Sequence, residues 1–214
     1  MKMPTFVGLS LAVLGMAACS NIDRSRNLHD SSVAAKTLAQ QVCSNCHGMD
    51  GNATSPNFPN LAGQTEPYLI QQLKNFRARS RSDPAGFEYM WGISRHLTDA
   101  QIEGLAAYFT GQKPVRQSAE AGEAQVSSGK KIFEGGVPEK NIPACMSCHG
   151  DNGQGNAQFP RIAGQHVDYL LKQLMVFQRT DERPEATMMK VIAHDLTRKN
   201  MEDVAAFLQV ISSR

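Results

Sequence analysis

The sequence predicts an all-α protein made of two tandem copies of one helical unit. Apolar residues recur at the spacing of a helix face, whereas no segment shows the strict alternation of a half-buried strand. Short motifs of the first half return in the same order in the second. Cys43–His47 returns as Cys145–His149, 102 positions later, and Phe58-Pro59 returns as Phe159-Pro160, 101 positions later. Such a repeat predicts two homologous domains in tandem.

The two domains are expected at residues 33–112 and 113–214, because Gly and Pro interrupt any helix near residues 110–118. Each domain should hold three helices, of which the first leads into the Cys motif. In the first domain the last helix should follow Thr98, where Gln101 completes the pattern of a capping box. In the first domain the predicted helices cover residues 33–41 and begin near residues 65 and 98. In the second domain they cover residues 120–133 and begin near residues 165 and 197.

Composition and charge are those of an ordinary globular protein, with 41% apolar and 20% charged residues. The 22 Lys and Arg residues stand against 20 Asp and Glu residues, which leaves a formal charge of +2. A nucleic-acid partner is not expected, because a phosphate-binding surface needs a much larger basic excess. Three short helices with long connections give each domain a thin core, which a buried prosthetic group would supplement.

The amino terminus has the pattern of an export signal, expected at residues 1–18. Lys2 precedes an apolar run from Phe6 to Leu14, which is too short to span a membrane as a helix. The small residues that follow end at Cys19, in a pattern that resembles a bacterial lipobox. We therefore expect lipidation at Cys19, a flexible tether at 19–32 and a periplasmic, membrane-anchored protein. The alternative is ordinary cleavage after Ala17, which leaves Cys19 unmodified.

Two Cys-x-x-Cys-His motifs predict two covalently bound haem c groups. Two intervening residues let both thiols reach the vinyl groups at one porphyrin edge, and the adjacent His then lies under the iron. The thioether-forming pairs would be Cys43 with Cys46 and Cys145 with Cys148, and the iron ligands would be His47 and His149.

Zinc knuckles and redox dithiols are the alternative interpretations of these cysteines. The roughly 100 residues between the two Cys pairs exceed the usual spacing of a zinc ribbon, and zinc would leave both adjacent His residues unexplained. A thioredoxin-like dithiol needs strands alternating with helices, and the sequence does not predict them. Haem attachment is the interpretation that accounts for all six residues.

A methionine on the far side of each iron would complete the coordination. Met90 and Met189 each lie seven residues before the Leu-Thr pair that opens the last helix, so the repeat selects them from the ten Met residues. Met188 is the alternative in the second domain. His96 and His194 lie nearby but do not align with each other, so we expect them at the surface or at a haem edge.

Polar residues near each motif are candidates for orienting the His or contacting the haem. The carbonyls of Pro59 and Pro160 are expected to accept a hydrogen bond from the iron-binding His, which would orient the imidazole. Two further sets are candidates for contact with haem propionates. One set, which could equally pack at helix N termini, is Gln64, Tyr68, Gln165 and Tyr169; the other, which could equally be a solvated helix end, is Arg77, Arg79 and Arg81.

Taken together, these motifs resemble the diheme cytochrome c4 family. The likeness rests on the paired Cys-x-x-Cys-His-Gly motifs, the Phe-Pro and Ala-Gly-Gln segments, the Tyr-Leu-x-x-Gln-Leu helices and the Met before each final helix, over residues 33–213. The resemblance implies two class I cytochrome c domains in a pseudo-twofold arrangement, with haem edges facing across the interface. It also implies His/Met ligation at both irons.

The function that this resemblance implies is electron transport between respiratory proteins, without an enzymatic activity. The expected partners are a quinol-cytochrome c reductase, a terminal oxidase or a dehydrogenase. Two alternatives stay open on the sequence. One is a diheme cytochrome c peroxidase, which would need one iron with an open coordination position. The other is a cytochrome subunit held tightly in a dehydrogenase or oxidase complex.

Overall fold

The computed structural model describes residues 25–118 and 121–211. The predicted signal peptide and the predicted lipidation at Cys19 lie outside these residues. Of the segment expected to be a tether, the last residues pack on the first unit. Leu28 lies against its core, and Gln101 donates hydrogen bonds to the carbonyls of Asp30 and Val33, both at 3.1 Å. The chain is thus held to the first domain from about residue 28 onward.

The described residues fold into helices and connecting loops, as predicted. Pairing between extended segments is limited to two isolated bridges, Val137 with Ile142 and Asn156 with Phe159. No helix within the described part of the chain has the length and apolar character needed to cross a membrane. The helices form two units, each with its own apolar core, and the two units contact each other directly.

The first unit places its haem motif inside a continuous helical stretch. Helix α1 (Ala35–Leu38) passes through a π-helical turn (Ala39–Cys43) into α2 (Ser44–His47). The other helices, in chain order, are α3 (Glu66–Arg77), α4 (Pro84–Gly86), a π-helical turn (Phe87–Trp91), α5 (Gly92–Ser94) and α6 (Asp99–Thr110). Helix α6 begins with the predicted capping box between Thr98 and Gln101.

The second unit repeats this order with one insertion before its haem motif. Its elements are α7 (Glu123–Gly135), a 3-10 turn (Pro138–Lys140), α8 (Met146–His149), α9 (Val167–Arg179), a 3-10 turn (Pro184–Ala186), α10 (Thr187–His194) and α11 (Arg198–Val210). Here α7 and α8 are separate helices. A capping box opens α11 as well, with Asn200 in the place that Gln101 takes in α6.

Each core lies where the first and last helices of a unit cross, and glycine allows the close approach. In the second unit a Cβ atom on Gly129 of α7 would lie 1.9 Å from the carbonyl oxygen of Asp203 in α11. In the first unit the glycine is on the other helix, since Gly104 of α6 faces Ala35 of α1. The repeat aligns Gly104 with Asp203. The glycine at the crossing therefore lies on the last helix in the first unit and on the first helix in the second unit.

Two helical segments were not expected from the sequence, and both carry a candidate methionine. Residues 84–94 form α4, the π-helical turn and α5, while 187–194 form α10. Both are short segments that pack mainly against the long helix before them, α3 or α9. Few residues contribute to any apolar stripe in such segments, so periodicity did not distinguish them from loops.

Candidate haem-binding sites

Each Cys-x-x-Cys-His motif lies on one helical turn at the edge of its unit. Cys43 ends the π-helical turn and Cys145 caps α8, so in both units the chain is helical from the first Cys to the His. All four thiols are free and half-buried. A glycine with positive φ, 78° at Gly48 and 82° at Gly150, then ends the helix. The two sulfurs and the imidazole of each motif are therefore presented by one short segment.

The first thiol of each motif is held in its protonated form. Burial raises the pKa of Cys43 to about 12 and that of Cys145 to about 11. A zinc site or a redox dithiol depends on the thiolate, which is favoured by a lowered pKa. These surroundings instead suit a neutral thiol that adds to a vinyl group, and they disfavour a redox dithiol. In the described part of the chain, no group of three or more potential metal ligands is placed to hold a zinc ion.

The histidine of each motif is buried and its orientation is set by a proline carbonyl. The Nδ1 atom of His47 lies 2.9 Å from the carbonyl oxygen of Pro59, and Nδ1 of His149 lies 2.8 Å from that of Pro160. Burial lowers the pKa of both imidazoles, against the opposing effect of these hydrogen bonds. A neutral ring that donates from Nδ1 keeps its Nε2 lone pair for a metal.

These residues fit a haem. Each unit offers two thiols, spaced by two residues, next to a neutral imidazole whose Nε2 is a good iron ligand. An aromatic ring, Phe58 in one unit and Phe159 in the other, lies edge-on to the imidazole at 6.2 Å and 6.4 Å between ring centroids. Both motifs have the same donor set in the same surroundings, so each unit would hold one covalent haem.

The candidate methionines lie on the two short segments described above. Met90 is in the π-helical turn and Met189 in α10, and both are half-buried. Met188, the alternative in the second unit, is 54% exposed, which favours Met189 for a ligand inside the unit. His96 and His194 are exposed: His96 stacks on His29, and His194 lies 3.0 Å from Asp195.

Next to each haem site, the two units bind one another through matching side chains. Gln64 accepts a hydrogen bond from the amide of Arg161 at 2.6 Å and donates to its carbonyl at 2.9 Å. Gln165 bonds in the same way to the backbone of Asn60, at 2.8 Å and 3.0 Å. These reciprocal bonds are the signature of the predicted pseudo-twofold relation. The sequence suggested propionate contacts or helix-end packing for Gln64 and Gln165, and the structure shows them binding the opposite unit.

The residues reached by these glutamines directly follow the two prolines that orient the histidines. Asn60 follows Pro59, and Arg161 follows Pro160. The backbone that supports each imidazole is therefore anchored to the other unit. His166 adds a further bond across the boundary, since its Nε2 lies 2.9 Å from the carbonyl oxygen of Ala53.

A second contact between the units is a buried cluster of charged and amide side chains. Arg81 binds Asp83 at 2.7 Å and Gln72 at 2.7 Å, all within the first unit. Across the boundary, Gln173 donates to the Asp83 carboxylate at 3.3 Å, and Arg183 donates to Gln72 at 3.0 Å. Arg81 and Asp83 are only 4% and 1% exposed, so this cluster is out of water.

The same cluster is nearly symmetric about the boundary. Arg183 binds Glu185 and Gln173 of its own unit, at 3.0 Å and 2.5 Å, as Arg81 binds Asp83 and Gln72. Tyr68 joins it through a weak 3.4 Å contact with Arg183. Of the three arginines considered together from the sequence, Arg81 is the one at this boundary. Arg77 binds Asp99 at 2.6 Å, and Arg79 lies over the ring of Trp91.

A helical protein of two such units, each with its own covalent haem motif, is a diheme c-type cytochrome. Comparison with known proteins agrees. The cytochrome c family model matches residues 32–112 and 126–212. Cytochrome c4 of Stutzerimonas stutzeri is 37% identical over 211 residues, covering 94% of each chain. The chain belongs to the cytochrome c family and, within it, to the cytochrome c4 group.

Other relatives support the same assignment. Cytochrome c-552 of Acidithiobacillus ferridurans is 45% identical over 167 residues, covering 78% of this chain and 72% of the relative. The crystal structure of reduced cytochrome c4 from Pseudomonas stutzeri matches with a TM-score of 0.75 and 38% identity, covering 86% of this chain and 99% of that one. A thiosulfate dehydrogenase electron acceptor of Stutzerimonas stutzeri is 32% identical and covers 82% of both chains. The protein is an electron carrier with two covalently bound haem c groups, and it is not an enzyme.

Proposed function

We propose that the protein carries single electrons in the periplasm through two His/Met-ligated haems, one held by His47 and Met90 and the other by His149 and Met189. When bound, each haem supplies a one-electron Fe(III)/Fe(II) couple. The observation that carries this proposal is the repeated arrangement of a buried His, oriented by a proline carbonyl, and a half-buried Met at the matching place in each unit.

The side chains of each unit would hold the haem and leave its iron no position open to a substrate. Pro59 and Pro160 orient the imidazoles and make Nε2 a stronger donor, because the Nδ1–H bond adds electron density to the ring. A thioether ligand from Met90 or Met189 would favour the reduced iron and raise its reduction potential. With one His and one Met ligand at each iron, peroxide would have no iron position to bind, and this ligation would favour the carrier over the peroxidase alternative.

The two units are held in contact so that an electron can pass between them. The loops after Pro59 and Pro160 are bonded to the opposite unit, and the buried Arg81 cluster fixes the relative position of α3 and α9. We expect an electron to enter through one unit and leave through the other. The near-neutral net charge suits brief docking with redox partners, which bind through small interfaces.

A dehydrogenase is the partner that the relatives favour, because one of them is named as the electron acceptor of thiosulfate dehydrogenase. A quinol-cytochrome c reductase and a terminal oxidase are the other expected partners. Attachment to the membrane through a lipid on Cys19 is part of the proposal and is supported by the lipobox-like sequence alone. The mass of the mature N-terminal peptide, compared with that of a Cys19→Ser variant, tests the anchor.

The ligand assignment is tested by Met90→Ala and Met189→Ala, each in the full-length holoprotein. Each variant should lower the potential of one haem by at least about 0.1 V, because axial ligands set haem potentials over a range of about 0.8 V. Each should also remove half of the weak long-wavelength absorption of Met-ligated ferric haem. Spectroelectrochemical titration measures both quantities.

Carbon monoxide binding to the reduced protein separates the carrier from a peroxidase. Wild-type protein should bind none, and each variant should bind one equivalent, at the iron whose thioether ligand has been removed. Met188→Ala is the matched control and should leave both haems unchanged. The proposal fails if wild-type protein binds carbon monoxide or peroxide at one haem, or if Met188→Ala opens a site and Met189→Ala does not.

A further inference from the structure

The residue after Met90 is Trp91, the single Trp of the sequence, and it lies in a stack of aromatic and cationic groups. Phe87, in the same π-helical turn, stacks on its ring at 5.8 Å between centroids and 13° between planes. The guanidinium of Arg79 lies 3.9 Å from the centroid of the Trp91 ring, and that of Arg95 lies 5.1 Å away. Two cations are therefore held against the segment that carries Met90.

The backbone at Arg79 is strained in a way that brings its side chain to this place. Arg79 has a φ of 60°, the left-handed region that is unfavourable for a residue with a Cβ atom. Its amide bonds to the carbonyl of Phe76 at 3.1 Å, so the chain turns tightly at the end of α3. Strain of this kind persists only where surrounding contacts compensate for it, and it occurs often at functional sites.

The charged groups that contact Trp91, the residue after Met90, are both cations. Within the described residues, neither Arg79 nor Arg95 has a carboxylate within salt-bridge distance. The acid of this segment is Glu88, which is exposed and lies two residues before Met90. Two guanidinium groups against one carboxylate leave an excess of one positive charge, held close to the ring by cation–π attraction.

The second unit lacks this arrangement at the matching positions. Lys190 replaces Trp91 after Met189, and Ala186 stands where the first unit has Phe87. Lys190 forms an ion pair with Asp181, so its charge is balanced. The segment is a regular helix, α10, in place of a π-helical turn. The two candidate methionines therefore lie in different electrostatic surroundings.

We infer that Trp91 is a positioning residue that holds Arg79 and Arg95 beside Met90, and that these cations raise the reduction potential of the haem in the first unit without a matching effect on the second. The inference rests on the proposed ligation of that haem by Met90. The physical basis is that oxidation adds one positive charge at the iron, and nearby cations disfavour that charge.

The size of the effect is limited by solvent, since Arg79 and Arg95 are exposed. Removal of one cation should change the reduction equilibrium constant of the first haem roughly threefold to tenfold, where tenfold corresponds to about 59 mV for one electron. Higher salt should reduce this difference, because exposed charges are screened. The two haems of one chain would then differ in reduction potential because of residues that do not bind the iron.

The experiment is a redox titration of each haem in the full-length holoprotein, for Arg79→Gln and Trp91→Leu. Both should lower the reduction equilibrium constant of the first haem roughly threefold to tenfold, and both should change that of the second haem by less than twofold. Arg79→Lys and Trp91→Phe keep a cation and a ring, so each should restore at least half of the shift. Arg179→Gln removes an exposed Arg from the matching helix end of the second unit. It should change the reduction equilibrium constant of either haem by less than twofold.

The outcomes distinguish this inference from the ligand assignment. Loss of the Met–iron absorption in Met90→Ala, together with unchanged potentials in Arg79→Gln and Trp91→Leu, would overturn the inference and leave the ligation intact. If Met90→Ala keeps that absorption, the ligation fails first. A purely structural role for Trp91 would show as equal shifts in both haems, or as no rescue by Trp91→Phe, and either result also overturns the inference.

Discussion

An Asp83→Asn variant is expected to lose about 3–5 kcal/mol of unfolding free energy, the cost of leaving a buried cation without its partner. Asp83 is 1% exposed and binds the equally buried Arg81 at 2.7 Å. An asparagine of the same shape keeps the packing but leaves the guanidinium uncompensated between the two units. Denaturant unfolding of the holoprotein measures the loss.

A matched control is Asp99→Asn, which removes an acid paired with Arg77 at the surface of the same unit. Its side chain is 60% exposed, so we expect a change within about 1 kcal/mol. Equal losses for the two variants would show that burial of the Arg81 cluster has no energetic consequence. Because the cluster joins the units, Asp83→Asn should also let the two units unfold in separate steps.

The same carboxylate predicts a dependence of stability on pH. Burial alone would raise the pKa of Asp83, but the hydrogen bond and charge of Arg81 outweigh it and hold that pKa below its ordinary value. A lowered pKa in the folded state contributes stability above about pH 4, and this contribution is lost as the pH falls through the folded-state pKa. The unfolding free energy of wild-type protein should therefore fall more steeply below about pH 4 than that of Asp83→Asn.

Substitution of Gly129 by alanine is expected to destabilise the second unit by about 3 kcal/mol, at the upper end of the usual cost of overpacking. The new methyl group would lie 1.9 Å from the carbonyl oxygen of Asp203, so α7 and α11 must move apart. The obstacle is a backbone atom in the middle of a helix, which has no rotamer that could relieve the clash. Thermal unfolding followed by circular dichroism measures the effect.

Gly135→Ala on the same helix is the control, because a Cβ atom there meets open space. That substitution should be neutral or slightly stabilising, by up to about 1 kcal/mol, through helix propensity. In the first unit, Gly104→Ala should cost less than Gly129→Ala, since it meets the methyl group of Ala35. A Gly129→Ala variant as stable as Gly135→Ala would mean that the helices do not cross at this point.

Much of the fold and of the candidate sites could be predicted because their signals are local. The repeat, the Cys-x-x-Cys-His spacing and the cap at Thr98 each depend on residues a few positions apart. The proline carbonyls were located because Pro59 and Pro160 follow their His by nearly the same distance, 12 and 11 residues. The second capping box was missed because Asn200 replaces the usual Glu or Gln, although the pattern of Thr followed by an amide side chain three residues later could have indicated it.

The contact between the units could not be predicted, because it depends on residues about 100 positions apart. Gln and Arg are residue types usually found at the surface, and a charged residue near a helix end is normally solvated. Gln64 and Arg81 therefore gave no sign of being buried. Only the approach of α3 to α9 removes Arg81 from water and gives it Gln173 of the second unit as a neighbour, whereas its ion-pair partner Asp83 is two residues away in the chain. The stack on Trp91 has the same origin, since Arg79 reaches the ring through a left-handed turn that its sequence does not indicate.

By itself, the sequence determined that this protein is helical, duplicated and able to hold two haems, because covalent attachment needs only a fixed spacing of thiols and imidazole along one turn. The tertiary structure decided how the two units differ and how they are joined. Burial and charge compensation arise between side chains that meet only after folding. The burial of the Arg81–Asp83 pair against Gln173, the position of the close-packing glycine on a different helix in each unit, and the cations on the ring of Trp91 are all of that kind.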